Sequence, residues 1–240
     1  MRGQAVQDIF QRLFDAYGPQ KWWPAETPFE VIVGAILTQA AAWTNVEKAI
    51  ANLKAAEVLS PHGIHHLPEE DLARLIYPSG YFNAKARKLK AFAGLLRERF
   101  DGSLERLLSA PPVELRELLL ATYGIGPETA DSILLYAAGK PFFVIDAYTR
   151  RTFRRLGIEP ERDSYSAWQA VFHDNLTPDP PLFNQYHALI VHHGKNVCAV
   201  RPLCSNCPLV EVCPTGQRNP RKEEKTHFHK KQTRNVTLGS

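Results

Sequence analysis

Apolar residues recur at intervals of three and four along most of the chain, which is the spacing of one buried face of an α-helix. One such stripe lies in residues 6–17 and another in residues 46–53. Residues 29–37 are apolar almost all round, which predicts a central buried helix. No stretch shows a convincing alternation of apolar and polar residues, as a half-buried strand would. The pattern therefore predicts an all-α protein.

The same periodicity predicts eight further helices after these three. They fit residues 69–76, 84–99, 103–108, 113–121, 128–138, 147–156, 164–175 and 182–193. Prolines, including Pro61, Pro112 and Pro180, fall between the predicted segments, as helix breakers do.

Composition is that of an ordinary globular protein and excludes a membrane-spanning one. The chain has 240 residues, of which 44% are hydrophobic and 22% charged. That length suits one large domain or two small ones that share a core. No apolar run reaches the roughly 18 residues of a membrane span. The N-terminus lacks the apolar core of a signal peptide, so we expect an intracellular protein without a membrane partner.

The positive charge is concentrated at the C-terminus. The formal net charge is +4, but residues 217–240 hold seven of the 29 Lys and Arg residues and two of the 25 Asp and Glu residues. The rest of the chain is nearly neutral, so the charge alone does not indicate a nucleic-acid-binding protein. Residues 217–240 have no apolar periodicity and are predicted to be a disordered basic tail.

All four cysteines lie in one stretch of 16 residues with the spacing C-x5-C-x2-C-x5-C. They are Cys198, Cys204, Cys207 and Cys213. Such crowding in an otherwise cysteine-free intracellular chain favours metal ligation over disulfides. An all-thiolate set fits a [4Fe–4S] cluster or a structural zinc ion. The third alternative is that the thiols bind no metal.

Two glycines and an aspartate mark a second candidate site. Gly124 and Gly126 separate two apolar helical stretches, and the amides at the start of the second helix could hold a phosphate. The two glycines could equally form an ordinary turn between two helices, with no bound ligand. Asp146 ends the apolar run of residues 142–145, where it could cap the helix that follows.

Together, the glycine hairpin, the downstream aspartate and the four-cysteine loop resemble the endonuclease III branch of the helix-hairpin-helix DNA glycosylase superfamily. The resemblance runs from about Phe29 to Cys213. It implies two all-α domains that flank a DNA-binding cleft. The first, residues 28–139, would be a six-helix barrel with the hairpin. The second, residues 1–27 with 140–216, would hold an iron–sulfur cluster.

The resemblance also assigns roles to the marked residues. The hairpin around Gly124, Gly126 and Thr129 would hold the DNA backbone, often with a bound monovalent cation, and Asp146 would be the catalytic carboxylate. The four cysteines would hold a [4Fe–4S] cluster, although the first spacing is five residues where the family commonly has six. Bifunctional members carry a lysine two residues after the second hairpin glycine. This chain has Glu128 there, which cannot form a Schiff base, so a monofunctional enzyme is expected.

An aromatic segment indicates the substrate. Trp22, Trp23 and Pro24, with Trp43 further on, resemble the pocket of the 3-methyladenine glycosylase group, where the flipped base stacks between aromatic rings. Alkylated purines are cationic, so stacking on indole adds a cation–π attraction of about 1–2 kcal/mol. The alternative is that the tryptophans fill the interdomain core.

Four further residues are candidates for DNA or substrate contacts. Gln39 resembles the residue that fills the gap left by the flipped nucleotide. Lys85 and Arg87 are candidate phosphate contacts or simply solvated surface charge. Lys195 is a candidate for the substrate pocket.

The sequence thus predicts a monomeric monofunctional glycosylase that acts on double-stranded DNA and releases alkylated purines such as 3-methyladenine. We expect it in the cytoplasm of a bacterium or archaeon, on nucleoid DNA. A uracil or thymine mismatch glycosylase, a bifunctional glycosylase/lyase and a catalytically idle iron–sulfur DNA-binding protein are the alternatives.

Overall fold

The structure, a computed structural model, describes residues 2–218, and its regular secondary structure in that range is entirely helical. The α-helices are α1 Arg2–Tyr17, α2 Pro28–Leu37, α3 Trp43–Ala55, α4 Pro61–His66, α5 Glu69–Leu75, α6 Phe82–Phe100, α7 Leu104–Leu108, α8 Pro112–Ala121, α9 Pro127–Ser132, α10 Ala147–Arg155, α11 Tyr165–His173, α12 Pro180–Asn196 and α13 Pro214–Arg218. A π-helical segment, Ile133–Ala137, extends α9, and three short 3-10 turns complete the set. Within residues 2–218, no helix is long and apolar enough to cross a membrane.

The all-α prediction is confirmed, and each of the eleven predicted helices is present with shifted ends. Several prolines begin helices instead of separating them, for example Pro61 in α4 and Pro112 in α8. Proline suits this first position because its missing N–H has no intrahelical acceptor there. The short helices α4 and α13 were not predicted.

Two apolar cores organise the described residues. One is built from residues 29–134. The other joins residues 6–13 of α1 to residues 135–213. The bounds of the predicted domains stay a prediction. Of the predicted tail, residues 217 and 218 end α13, and the rest lies outside the described residues.

The prediction that Lys85 contacts DNA phosphates is wrong. Its side chain is buried, and its Nζ donates to the carbonyl oxygens of Leu37 at 2.8 Å and Ser79 at 2.6 Å. Burial and, to a smaller extent, the nearby charge of Lys88 lower the pKa of Lys85 to about 8. Lys85 therefore joins the C-terminus of α2 to the start of α6 and is not available to a ligand.

Candidate active site and DNA-binding hairpin

Asp146 stands where a buried segment meets the N-terminus of α10. Phe143, Val144 and Ile145 are buried in the second core. Their packing fixes the position of the backbone that leads to Asp146. The Asp146 side chain then caps α10, since its Oδ1 accepts a hydrogen bond of 2.7 Å from the Thr149 amide. The interpretation of Asp146 as a helix cap is confirmed, and the cap also fixes the direction of its second carboxylate oxygen.

That second oxygen faces a buried histidine. Oδ2 of Asp146 lies 3.6 Å from Nε2 of His187, and Nδ1 of His187 is hydrogen-bonded to the Tyr136 hydroxyl. Burial raises the pKa of Tyr136 well above its usual range, so the phenol stays protonated. The hydroxyl and Nδ1 can each donate or accept, so the direction of this hydrogen bond follows the tautomer of His187.

The environment keeps Asp146 ionised. Burial by itself would raise its pKa, but His187 and the amide of Thr149 outweigh that effect. The pKa of Asp146 consequently lies below its usual value. The group is a fixed carboxylate at neutral pH.

The resemblance implies that Asp146 is catalytic, and on that basis we expect His187→Phe to slow base release roughly tenfold, which corresponds to about 1.4 kcal/mol of transition-state stabilisation. Without His187 the pKa of Asp146 rises, so activity should be lost at a higher pH on the acid side. Single-turnover rates measured across the acidic range test both effects. His62→Phe, on the exposed face of α4, serves as the control. An unchanged pH profile would show that His187 only fills space.

A cleft of about 1200 Å3, counted out to bulk solvent, opens in front of Asp146 and His187. Most of the predicted substrate-binding residues line it, namely Trp22, Trp23, Trp43, Glu128 and Lys195. Pro24 is exposed and is not part of its wall. Residues distant in sequence thus converge on one side of the ionised carboxylate.

The three tryptophans form a connected aromatic wall. The Trp23 ring centroid lies 5.2 Å from that of Trp43 and 5.5 Å from that of Trp22. Trp23 also packs against α2, where a Cβ at Gly34 would come within 3.2 Å of its indole. Trp23 therefore helps to fill the first core and lines the cleft at the same time. Trp23 thus fits both predictions for the tryptophans, as part of a pocket wall and as part of a core.

The hairpin between α8 and α9 requires glycine at position 124. Gly124 has a φ of +78°, which disfavours any other residue. A Cβ there would also lie 2.3 Å from Cγ of Lys88. Gly126 caps α9 in an extended conformation with open space around it. The first amides of α9 consequently face an open surface beside the cleft.

Gln39 is bound to this hairpin. Its Nε2 donates to the Gly124 carbonyl oxygen at 3.1 Å and to the Thr129 hydroxyl at 2.8 Å, and its Oε1 accepts from Lys88. Arg87, on the same helix as Lys88, is exposed to solvent. The proposed roles of Gln39 and Arg87 towards DNA stay predictions.

Sequence reasoning missed two residues at the site. His187 and Tyr136 lie on buried helix faces, where their spacing is that of core residues.

The four cysteines line one small cavity of about 340 Å3 between α10, α12 and α13. Hydrogen-bond donors point at their sulfurs: Arg155 Nη1 lies 3.2 Å from Cys198 Sγ, and the Gly216 amide 3.4 Å from Cys213 Sγ. Burial raises the pKa of Cys207 to about 11. Across residues 2–218, no three His, Cys, Asp or Glu side chains are close enough to hold a single metal ion. Four thiols on one small cavity are a donor set that fits either a [4Fe–4S] cluster or a zinc ion.

Comparison with known proteins agrees with this architecture. The family described as HhH-GPD superfamily base excision DNA repair protein matches residues 33–178, more than half of the chain. The chain belongs to the HhH-GPD superfamily. It is accordingly a base excision DNA glycosylase by family, with the all-helical fold that the family shares.

Individual HhH-GPD proteins are similar over most of their length. A protein of Methanocaldococcus jannaschii with the provisional name of a DNA repair glycosylase is 45% identical over 212 residues, covering 88% of this chain and 96% of the relative. A trapped endonuclease III–DNA covalent intermediate has a TM-score of 0.78 at 22% identity, covering 91% and 99%. A Helicobacter pylori 3-methyladenine DNA glycosylase bound to 1,N6-ethenoadenine has a TM-score of 0.65 at 29% identity, covering 80% and 95%.

Proposed function

We propose that the protein is a monofunctional glycosylase that releases alkylated purines such as 3-methyladenine from double-stranded DNA and leaves an abasic site. The observation that carries the proposal is the cleft, where the fixed carboxylate of Asp146 lies beside the wall of Trp22, Trp23 and Trp43. Similarity to a solved 3-methyladenine glycosylase supports the substrate class.

DNA would reach the cleft over the hairpin. The open face at Gly126 and Thr129 would hold backbone phosphates, with a monovalent cation at the hairpin carbonyls. A damaged base would then be flipped into the cleft. Flipping costs a few kcal/mol, and stacking on aromatic rings returns about 1–3 kcal/mol per base. Gln39 would fill the gap that the flipped nucleotide leaves in the duplex, since side chains that enter base steps help to keep them unstacked.

Inside the cleft Asp146 would do the chemistry. Breaking the bond between C1′ and the base nitrogen builds positive charge on the sugar, which an ionised carboxylate stabilises. The same carboxylate would guide the attacking water. Lys195, exposed on the wall of the cleft, would contact the substrate from α12.

The four cysteines would hold a [4Fe–4S] cluster. Bound there, the cluster would link the end of α12, through Cys198, to the segment that leads into α13, through Cys213, and so stabilise the second core. Arg155, at the end of the helix that begins after Asp146, contacts Cys198 directly. We propose that the enzyme works as a monomer in the cytoplasm, on nucleoid DNA.

Duplexes that each carry one lesion test the proposed substrate. N3-methyladenine and N7-methylguanine should give alkali-labile sites faster than uracil or thymine opposite guanine, because cationic bases gain from the indole wall. The experiment compares single-turnover rates at one enzyme concentration. If a mismatched uracil or thymine reacts fastest, the mismatch glycosylase replaces our proposal.

No covalent complex with DNA should form in the presence of borohydride. A Schiff base needs a neutral amine at the reacting sugar, and position 128 supplies a carboxylate instead. Denaturing gels of enzyme with lesion-bearing duplex, with and without borohydride, make the comparison. A trapped adduct would make the enzyme bifunctional, and Lys195→Gln would then test whether the lysine of the cleft is the nucleophile.

Trp43→Ala should reduce release of N7-methylguanine at least about tenfold, because stacking on the indole is worth about 1–3 kcal/mol. Trp43→Phe should have a smaller effect, since it keeps most of the packing and weakens the cation–π attraction. The thermal stability of both Trp43 variants must also be measured, because loss of a packed tryptophan costs about 3–5 kcal/mol of folding free energy.

Trp168→Phe is the matched control, because Trp168 lies wholly in the second core and away from the cleft. If phenylalanine at positions 22, 23 and 43 leaves alkylpurine release unchanged in all three variants, the wall is structural only.

A further inference from the structure

The cleft holds a second carboxylate whose environment differs from that of Asp146. Glu128 stands in the first turn of α9 and lines the same cleft. Asp146 is held by an amide and faces an imidazole, whereas the Glu128 side chain is exposed to the cleft. Within residues 2–218, no hydrogen bond or ion pair engages the Glu128 carboxylate.

The two groups also differ in proton affinity. Desolvation in the cleft raises the pKa of Glu128 and repulsion by the Asp146 carboxylate raises it further, while His187 and Arg150 lower it by less. The pKa of Asp146 is lowered instead. When neighbouring titratable groups are separated in this way, the site can hold one as an acid and the other as an ionised base. A purine in the cleft would exclude water and favour the protonated form of Glu128 still more.

We infer that Glu128 is a general acid that protonates the departing base, and that the enzyme therefore also releases neutral modified purines such as 1,N6-ethenoadenine and hypoxanthine. The inference rests on the proposed function, because it takes Asp146 as the catalytic carboxylate and this cleft as the base pocket. It widens the substrate class from cationic purines to neutral ones.

For a neutral purine, the bond between C1′ and N9 breaks, and its electron pair stays on the base. The Glu128 carboxyl gives its proton to a ring nitrogen of the purine, so the base leaves uncharged. Water then bonds to C1′, and its proton passes through Asp146 to solvent. Glu128 is reprotonated from solvent, and the net reaction is hydrolysis.

A cationic alkylpurine needs no such proton. Its own positive charge is neutralised by the electron pair of the broken bond, and it leaves as a neutral base without an acid. The two lesion classes therefore differ in their demand for Glu128 while they share Asp146. That difference allows the role of Glu128 to be separated from binding and folding.

The test compares Glu128→Gln with wild type on two sets of duplexes under single-turnover conditions. One set carries 1,N6-ethenoadenine or hypoxanthine and the other carries N7-methylguanine. We expect Glu128→Gln to slow release of the neutral bases by about 100-fold or more, as is typical of lost general-acid catalysis, and to slow N7-methylguanine release by about tenfold at most, through the lost cleft contact. In wild type, neutral-base release should fall as pH rises past the pKa of Glu128, while N7-methylguanine release stays level.

Three outcomes overturn the inference. Equal slowing of both lesion classes would give Glu128 a binding or structural role. Release of N7-methylguanine without release of either neutral base by wild type would remove the need for an acid. Release of neither class would overturn the proposed function together with the inference. Glu128→Asp, which keeps the acid on a shorter chain, should retain the pH dependence with a lower rate.

Discussion

Asp146→Asn should reduce base release by about three orders of magnitude, equivalent to about 4 kcal/mol of transition-state stabilisation. The substitution keeps the shape of the side chain and its cap on α10, because asparagine is as good a cap as aspartate. Only the negative charge next to the developing oxocarbenium ion is lost. DNA affinity should therefore change little, since the hairpin that would hold the backbone is untouched.

The measurement pairs single-turnover release of N7-methylguanine with a binding titration on the same duplex. Asp179→Asn is a matched control, because Asp179 caps α12 through an equivalent hydrogen bond of 3.0 Å to the Leu182 amide, outside the cleft. Retention of most of the rate in Asp146→Asn would mean that another group stabilises the sugar cation, and Glu128 would be the first to examine.

Cys207→Ser should remove nearly all bound iron, which is the second large effect that we expect. Wild-type protein prepared without oxygen should be yellow-brown and contain about four iron atoms per chain. Loss of one thiolate leaves the cluster with three protein ligands. The thermal stability of the second core should fall with the iron content, because metal-binding free energy contributes to folding.

Elemental analysis of iron and zinc, with thermal melting on the same samples, decides this prediction. Ser205→Ala is the control, since Ser205 is exposed between two of the cysteines. One zinc ion per chain with no iron would assign the cysteines to a structural zinc site. Full iron content in Cys207→Ser would exclude Cys207 as a ligand.

Most residues of the candidate site could be predicted from the sequence, because they lie in short local motifs. The spacing of the cysteines, the Gly124–Gly126 pair and Asp146 after an apolar run can each be recognised without the fold. Helix positions followed from the apolar periodicity, which is also a local property of the sequence. Helices α4 and α13 were the exceptions. The prolines were misplaced because a residue that cannot continue a helix is well suited to begin one.

What the sequence could not supply are contacts between distant segments. Lys85 and Lys88 lie one turn apart on α6, and nothing local distinguishes the one that turns inward to Leu37 from the one that reaches Gln39. The pairing of His187 with Tyr136 and Asp146 joins α12, the π-helical segment and the cap of α10. Such a group forms only when these three segments pack together in the second core.

Detection of the free base tests the central claim most directly. Duplex DNA methylated to carry N3-methyladenine is incubated with excess wild-type enzyme, and the small molecules in solution are identified by mass spectrometry. We predict free 3-methyladenine in an amount equal to the abasic sites formed, and neither product with Asp146→Asn. If wild type binds this DNA and the base stays attached, the protein is a DNA-binding member of its superfamily that does not cleave this bond.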